Sequence, residues 1–189
     1  MLKKLFKLLP IFCFTLIFSG NVFATDYYVA GDTGLDTNPG TAEEPWLTIQ
    51  KAADTMVAGD TVYVKGGITY SDSTCADAIV CPARSGSAGA YITYTAWPDT
   101  GMPVIDGLDA VSGFYTLAKD YIRISNFKIQ NANLYGISVS WSINSYITNN
   151  IILNSERLGI LFMGEGPYFC YISNNVLVNN PYGINVDTS

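Results

Sequence analysis

Two short stretches decide the fold: YITNNIILN, residues 146–154, and YISNNVLVN, residues 171–179. Each is followed by a glycine strand, Gly159-Ile-Leu-Phe162 and Gly183-Ile-Asn-Val186, and an earlier stretch, Tyr121 to Asn131 with Gly136-Ile-Ser-Val139, has the same plan. Asn126, Asn150 and Asn175 align at intervals of 24 and 25 residues, and Gly136, Gly159 and Gly183 at 23 and 24. Within each unit, runs such as Ile122-x-Ile124, Phe127-x-Ile129 and Ile137-x-Val139 alternate with the period of two that puts every other side chain on one face of a strand. Strands this short, broken by Asn and Gly turns, cannot close a core singly and must stack on their neighbours. Leucine-rich spacing is absent and propeller blades are longer, so the pattern predicts an all-β chain, a right-handed parallel β-helix with three strands per coil. An Asn at the bend between strands can adopt a left-handed backbone and bond the equivalent amide one coil away. Asn126, Asn150 and Asn175 are therefore expected to form an internal ladder.

Upstream, Thr61 to Lys65, Tyr91 to Ala96 and Val104 to Gly107 read as strands of less regular coils. Between Pro45 and Met56 the apolar residues Trp46, Ile49, Ala52, Ala53 and Met56 recur at helical spacing, with Thr48 as N-cap and Gly59 just past the end. One short helix here would cover the open N-terminal end of the stack.

The chain begins MLKKLFKLLPIFCFTLIFSGNVFATD, where three lysines precede an apolar run of about 14 residues, too short for a span of roughly 20. Residues 1–24 read as a cleaved secretory signal, residues 25–70 as cap and first strand, and residues 71–189 as coils truncated at their C-terminal end. Phe12 before Cys13 is too bulky for lipoprotein processing, so no membrane attachment is expected after cleavage. Removing Lys3, Lys4 and Lys7 leaves seven basic against sixteen acidic residues, a net charge of −9. Such a surface is a poor partner for nucleic acid, and an acidic polysaccharide would need a local basic cluster or a cation. The absence of histidine excludes Ser-His-Asp and Cys-His nucleophiles. In an oxidising compartment, extracellular or periplasmic, Cys75 and Cys81 are read as a disulfide closing a short loop, and Cys170 as a buried small hydrophobe.

Residues 26–70 carry Tyr27-Tyr-Val29, Asn38-Pro-Gly-Thr41, Thr48-Ile-Gln-Lys-Ala52 and Gly59-Asp-Thr-Val-Tyr-Val64, and Ser85 to Gly107 ends in Val104-Ile-Asp-Gly107. These pieces resemble the N-terminal cap and first coils of secreted bacterial β-helix proteins of the pectate-lyase-like superfamily. The resemblance implies a polysaccharide lyase working by β-elimination on an acidic glycan such as pectate or alginate. A monomer is expected. That chemistry uses a Lys or Arg base beside calcium-binding acids on one outer face. Arg123 and Lys128, which alternate with apolar residues and should point outward, are the candidates for the base. Asp106 and Asp109 are the candidates for the metal, although a turn is the simpler reading of IDGLDA. The scaffold also hosts hydrolases, epimerases and adhesins. A non-catalytic surface β-helix that binds glycans is therefore the competing expectation. Other oxygen-rich or charged positions, Asp32 to Asn38, Lys65, Glu156-Arg157 and Glu165, read as turns or solvated surface. Tyr115, Tyr135, Trp141, Tyr168 and Tyr182 are candidate platforms for sugar rings.

Overall fold

The computed structural model describes residues 24–72, 75, 78–108, 110–164 and 169–187. All of the leader segment except Ala24, together with Asp109, Glu165 and Tyr168, lies outside these residues. An edge strand β1 (Asp26–Val29) and helix α1 (Ile49–Thr55) precede five coils of three strands each. The first coil is β2 (Thr61–Val64), β3 (Thr69–Tyr70) and β4 (Ala78–Val80); the second is β5 (Ile92–Ala96), β6 (Val104–Asp106) and β7 (Ser112–Tyr115). Next come β8 (Ile122–Ser125), β9 (Lys128–Gln130) and β10 (Tyr135–Ser140), then β11 (Tyr146–Thr148), β12 (Ile151–Leu153) and β13 (Leu158–Met163). The last coil is β14 (Tyr171–Ser173), β15 (Val176–Val178) and β16 (Tyr182–Asp187). The first full turn thus starts at Thr61.

Equivalent strands of successive coils pair in parallel, giving a first sheet β1-β2-β5-β8-β11-β14, a second β3-β6-β9-β12-β15 and a third β4-β7-β10-β13-β16. Three inward rows follow from this register. They are Val62, Tyr94, Ile124, Ile147, Ile172; Tyr70, Ile105, Ile129, Ile152, Leu177; and Val80, Phe114, Ile137, Ile160, Ile184. The β-branched members of these rows are fully buried in the middle coils, each worth about 1.5–3 kcal/mol of transfer free energy. Tyr94, Phe114 and Phe127 pack edge-to-face across the core at 5.6 and 5.3 Å. In the last coil the inward row opens to solvent, and Ile184 and Val186 are exposed.

Helix α1 closes the other end by burying Ile49, Ala52 and Ala53. Thr48 caps it as expected, its hydroxyl accepting the Lys51 N–H at 3.1 Å. Asp36 completes the cap by accepting the N–H groups of Leu47 and Thr48 at 3.0 and 2.9 Å and the Thr48 hydroxyl at 2.8 Å. The Cys75–Cys81 disulfide is present, and Gln50 of α1 clasps Cys81 through its backbone N–H and carbonyl at 2.9 and 3.1 Å.

The asparagine ladder differs from expectation. Each turn from the first sheet to the second has two residues with separate roles. Asn126, Asn149 and Asn174 hold the left-handed backbone, with φ of 63°, 58° and 56°. The second residues, Phe127, Asn150 and Asn175, turn toward the core. Asn126 is thus the equivalent of Asn149, not of Asn150, and its amide donates outside the ladder, to the Thr95 hydroxyl at 3.0 Å. The internal ladder has two members: the Asn150 amide donates to Asn175 Oδ1 at 3.1 Å and to the Ile124 carbonyl at 3.0 Å. The offset is one residue: the register sets Ile124 opposite Ile147 and Ser125 opposite Thr148, so Asn126 falls in line with Asn149, whereas the interval of 24 had put it in line with Asn150. One residue is enough to exchange the inward and the left-handed position of the turn.

Candidate functional site

The second sheet carries Asp106 and Lys128. Both Asp106 carboxylate oxygens are occupied by amides of the next coil, Gln130 Nε2 at 2.8 Å and Asn131 Nδ2 at 3.1 and 3.2 Å. From Asn131 an outer amide ladder runs on, Asn154 donating to Asn131 at 3.5 Å and Asn179 to Asn154 at 3.3 Å. Calcium takes six to eight oxygens, usually from several carboxylates. Among the described residues no three His, Cys, Asp or Glu side chains come together, and both Asp106 oxygens already accept amide N–H groups. Asp109 lies outside the described residues. Lys128 sits opposite Val104 and Ile151 in the ladder, on an apolar strip.

Arg123 and Lys128 do not converge. The turn at Asn126 and Phe127 separates their strands, which belong to different sheets. The Arg123 guanidinium lies over the rings of Tyr91 and Tyr146, 4.1 and 5.1 Å from their centroids. Burial raises the Tyr91 hydroxyl above its usual value, and the Tyr146 phenol adds to this while Arg123 opposes it.

The oxygen-rich cap loop also has internal uses. Asp32 pairs with Lys65 at 2.8 Å, and this contact holds its carboxyl below the ordinary value, while Asp36 is spent on the helix cap.

On the third sheet, β7, β10 and β13 form a groove lined by Ser112, Tyr115, Tyr135, Ser138, Leu161 and Met163. Small serines of β10 lie between larger residues of the coils on either side, Ser138 between Tyr115 and Leu161, so the floor is recessed. Ser138 and Ser140 share a hydrogen bond of 3.1 Å. The buried Ser112 hydroxyl lacks a hydrogen-bond partner among the described residues. At the edge of the groove Arg157 donates to the Tyr135 hydroxyl at 3.3 Å. Of the expected aromatic platforms, Tyr115 and Tyr135 line this groove. Trp141 and Tyr182 stand exposed elsewhere, and Tyr168 lies outside the described residues. Hydroxyls and tyrosines in a recess bind sugars well, and among the described residues no carboxylate or lysine lines this one. The serines carry no signature in the sequence, because their significance comes only from the recess that their neighbours on other coils create.

Pectate lyase PEL9 of Emericella nidulans is 36% identical over 86 residues, which are 46% of this chain and 19% of that protein. The chain therefore spans about a fifth of the length of that relative. Among solved structures, a rhamnogalacturonan lyase aligns at TM-score 0.66 and 22% identity, covering 86% of this chain and 45% of that one. A lacto-N-biosidase of Eubacterium ramulus aligns at TM-score 0.73 and 15% identity, covering 87% and 36%. Pectate lyase Pel9A aligns at TM-score 0.52 and 17% identity, covering 89% and 52%. At these identities the structural likeness concerns the fold. With a family model matching residues 27–189, the chain belongs to the Pel9A-like right-handed β-helix family.

Proposed function

We propose that this chain supplies the N-terminal coils of an exported, monomeric polysaccharide lyase that acts on an acidic glycan such as pectate, with the groove of β7, β10 and β13 as a sugar-binding surface. The carrying observation is the groove itself, a recessed floor of serine hydroxyls between Tyr115 and Tyr135 on a coil of the Pel9A-like family. Tyrosine faces suit the apolar faces of pyranose rings. The lyase assignment draws on the relatives named pectate lyase and rhamnogalacturonan lyase. β-Elimination requires a base beside the uronate carboxylate and a cation for the enolate. Among the described residues no carboxylate or lysine lines the groove and Arg157 is the cation at its edge, so we assign these coils substrate binding. A second reading, a surface β-helix that binds glycans without cleaving them, is favoured by the same lack of a carboxylate or lysine lining the groove.

The test is the full-length protein given pectate, alginate or rhamnogalacturonan, with and without a calcium chelator, while unsaturated products are followed by ultraviolet absorbance. Product formation that weakens when Tyr115 is changed to Ala is the expected result. Retention of these glycans in affinity electrophoresis without product would favour the non-cleaving reading. Neither product nor retention would overturn both.

A further inference from the structure

The outer face of the first sheet carries a row that the groove on the third sheet does not include. Register places Thr61, Thr93, Arg123, Tyr146 and Tyr171 side by side on β2, β5, β8, β11 and β14. At the usual spacing of neighbouring strands the row extends roughly 19 Å along the axis of the solenoid. The Tyr146 and Tyr171 rings are 5.5 Å apart, and Tyr171 is 54% exposed. Thr61, Thr93 and Arg123 border one shallow depression beside Tyr91.

Arg123 is the unusual member. Other cations near this end of the molecule are engaged: Lys65 pairs with Asp32, and Arg84 donates to the carbonyls of Asp54, Thr55 and Met56. Arg123 has no hydrogen-bond acceptor and no ion-pair partner among the described residues. It is nevertheless held over two tyrosine rings, in a chain whose formal charge is −6. Ring stacking fixes the guanidinium while leaving its N–H fork unspent, and that fork matches a carboxylate in two-point geometry. Asp26 ends the same row beside Thr61, three strands from Arg123. That is roughly 14 Å at ordinary strand spacing, beyond the screening length of about 8 Å in physiological salt.

We propose that this row is a second, non-catalytic binding site for a uronate oligosaccharide. Arg123 takes a sugar carboxylate, Tyr146 and Tyr171 stack on the rings that follow, and Thr93 and Thr61 bond hydroxyls on the other side. The alternation of a carboxylate with an apolar ring face suits an acidic glycan better than an acidic peptide, whose carboxylates bring no flat apolar surface. The site faces a different direction from the groove and does not depend on whether the protein cleaves anything.

The experiment is calorimetric titration of the full-length protein, in chelator so that turnover is minimised, with de-esterified oligogalacturonate, its methyl ester and poly-glutamate. Arg123→Gln is expected to weaken oligogalacturonate binding about tenfold or more, as for loss of a charged hydrogen bond, and Arg123→Lys to recover it only in part. Tyr171→Ala, at an exposed position, should weaken it several-fold without moving the melting temperature, which keeps the test valid if Arg123→Gln fails to fold. Because binding and product formation are read separately, failure of the lyase assignment leaves this result intact. Unchanged affinity in folded Arg123→Gln or Tyr171→Ala protein would overturn the proposal. So would methyl ester or poly-glutamate binding as tightly as the acid oligomer.

Discussion

Asn150 and Asn175, 25 residues apart, stack one coil above the other, and the Asn150 backbone N–H and side-chain amide both donate to Asn175 Oδ1, at 3.0 and 3.1 Å. Asn150 in turn accepts the Phe127 N–H at 3.1 Å, so one side chain settles the polar groups of three coils. Replacing Asn150 with Ala strands the Phe127 N–H and the Ile124 carbonyl in the core. The expected loss is about 1–3 kcal/mol, read as a lower denaturant midpoint. Asn149→Gly should be nearly neutral, whereas Asn149→Ala should cost about 1–2 kcal/mol because its φ is 58°.

Gly136 and Gly159 lie on the third sheet where one coil comes into close contact with the next. A methyl group on Gly136 would meet the Ile152 side chain and come within 2.7 Å of the Gly159 carbonyl oxygen, and on Gly159 it would meet the Leu177 side chain and come within 2.9 Å of the Gly183 carbonyl oxygen. Gly136→Ala and Gly159→Ala are therefore each expected to destabilise by about 1–3 kcal/mol, read as a lower melting temperature.

Reduction of the Cys75–Cys81 disulfide, which closes a loop with a sequence separation of 6, should cost about 2 kcal/mol. The fold should survive it, since Gln50 still holds Cys81 at both backbone groups. Melting with and without reductant, in wild-type and Gln50→Ala protein, should show a larger drop in the variant. Cys170, half-buried and with its thiol pushed up by burial, should alkylate more slowly than the two released thiols.

Burial pushes the Tyr70 hydroxyl up to about 12, and it donates to the Lys65 carbonyl at 3.0 Å. A phenol whose value is raised on folding favours the folded state fully below pH about 10, and this contribution disappears as the pH rises through about 12. Ultraviolet titration should show Tyr70, and Tyr94, which is more deeply buried, ionising last and together with alkaline unfolding. Tyr70→Phe should shift that unfolding to a different pH without abolishing the fold.

The stacked architecture could be read from the sequence because each coil repeats the same inward positions. The helical cap was equally legible, as Thr48 and the spacing from Trp46 to Met56 are local signals. Register was harder to read, because the repeats differ in length by a residue and a shift of one moves Asn126 from the ladder to the left-handed position. Chemistry was the least visible. Asp106 has the composition of a ligand, yet its oxygens are spent on Gln130 and Asn131 of the next coil. Arg123 and Lys128 lie close in sequence but face apart, and the pairing of Arg123 with Tyr91 and Tyr146 brings together residues from three coils.

In the last three coils the joint between the first and second sheets is always two residues long, whereas the return from the third sheet to the first takes 116–121, 141–145 and 164–170. The molecule therefore has one rigid hinge pin and one adjustable link per turn. Insertions at the link would loop away from the stack, while a single residue added at Asn149-Asn150 would swing the amide out of the core. Excising residues 150–174 joins Asn149 to Asn175, which then stands where Asn150 stood. Whole coils can thus be removed as interchangeable parts.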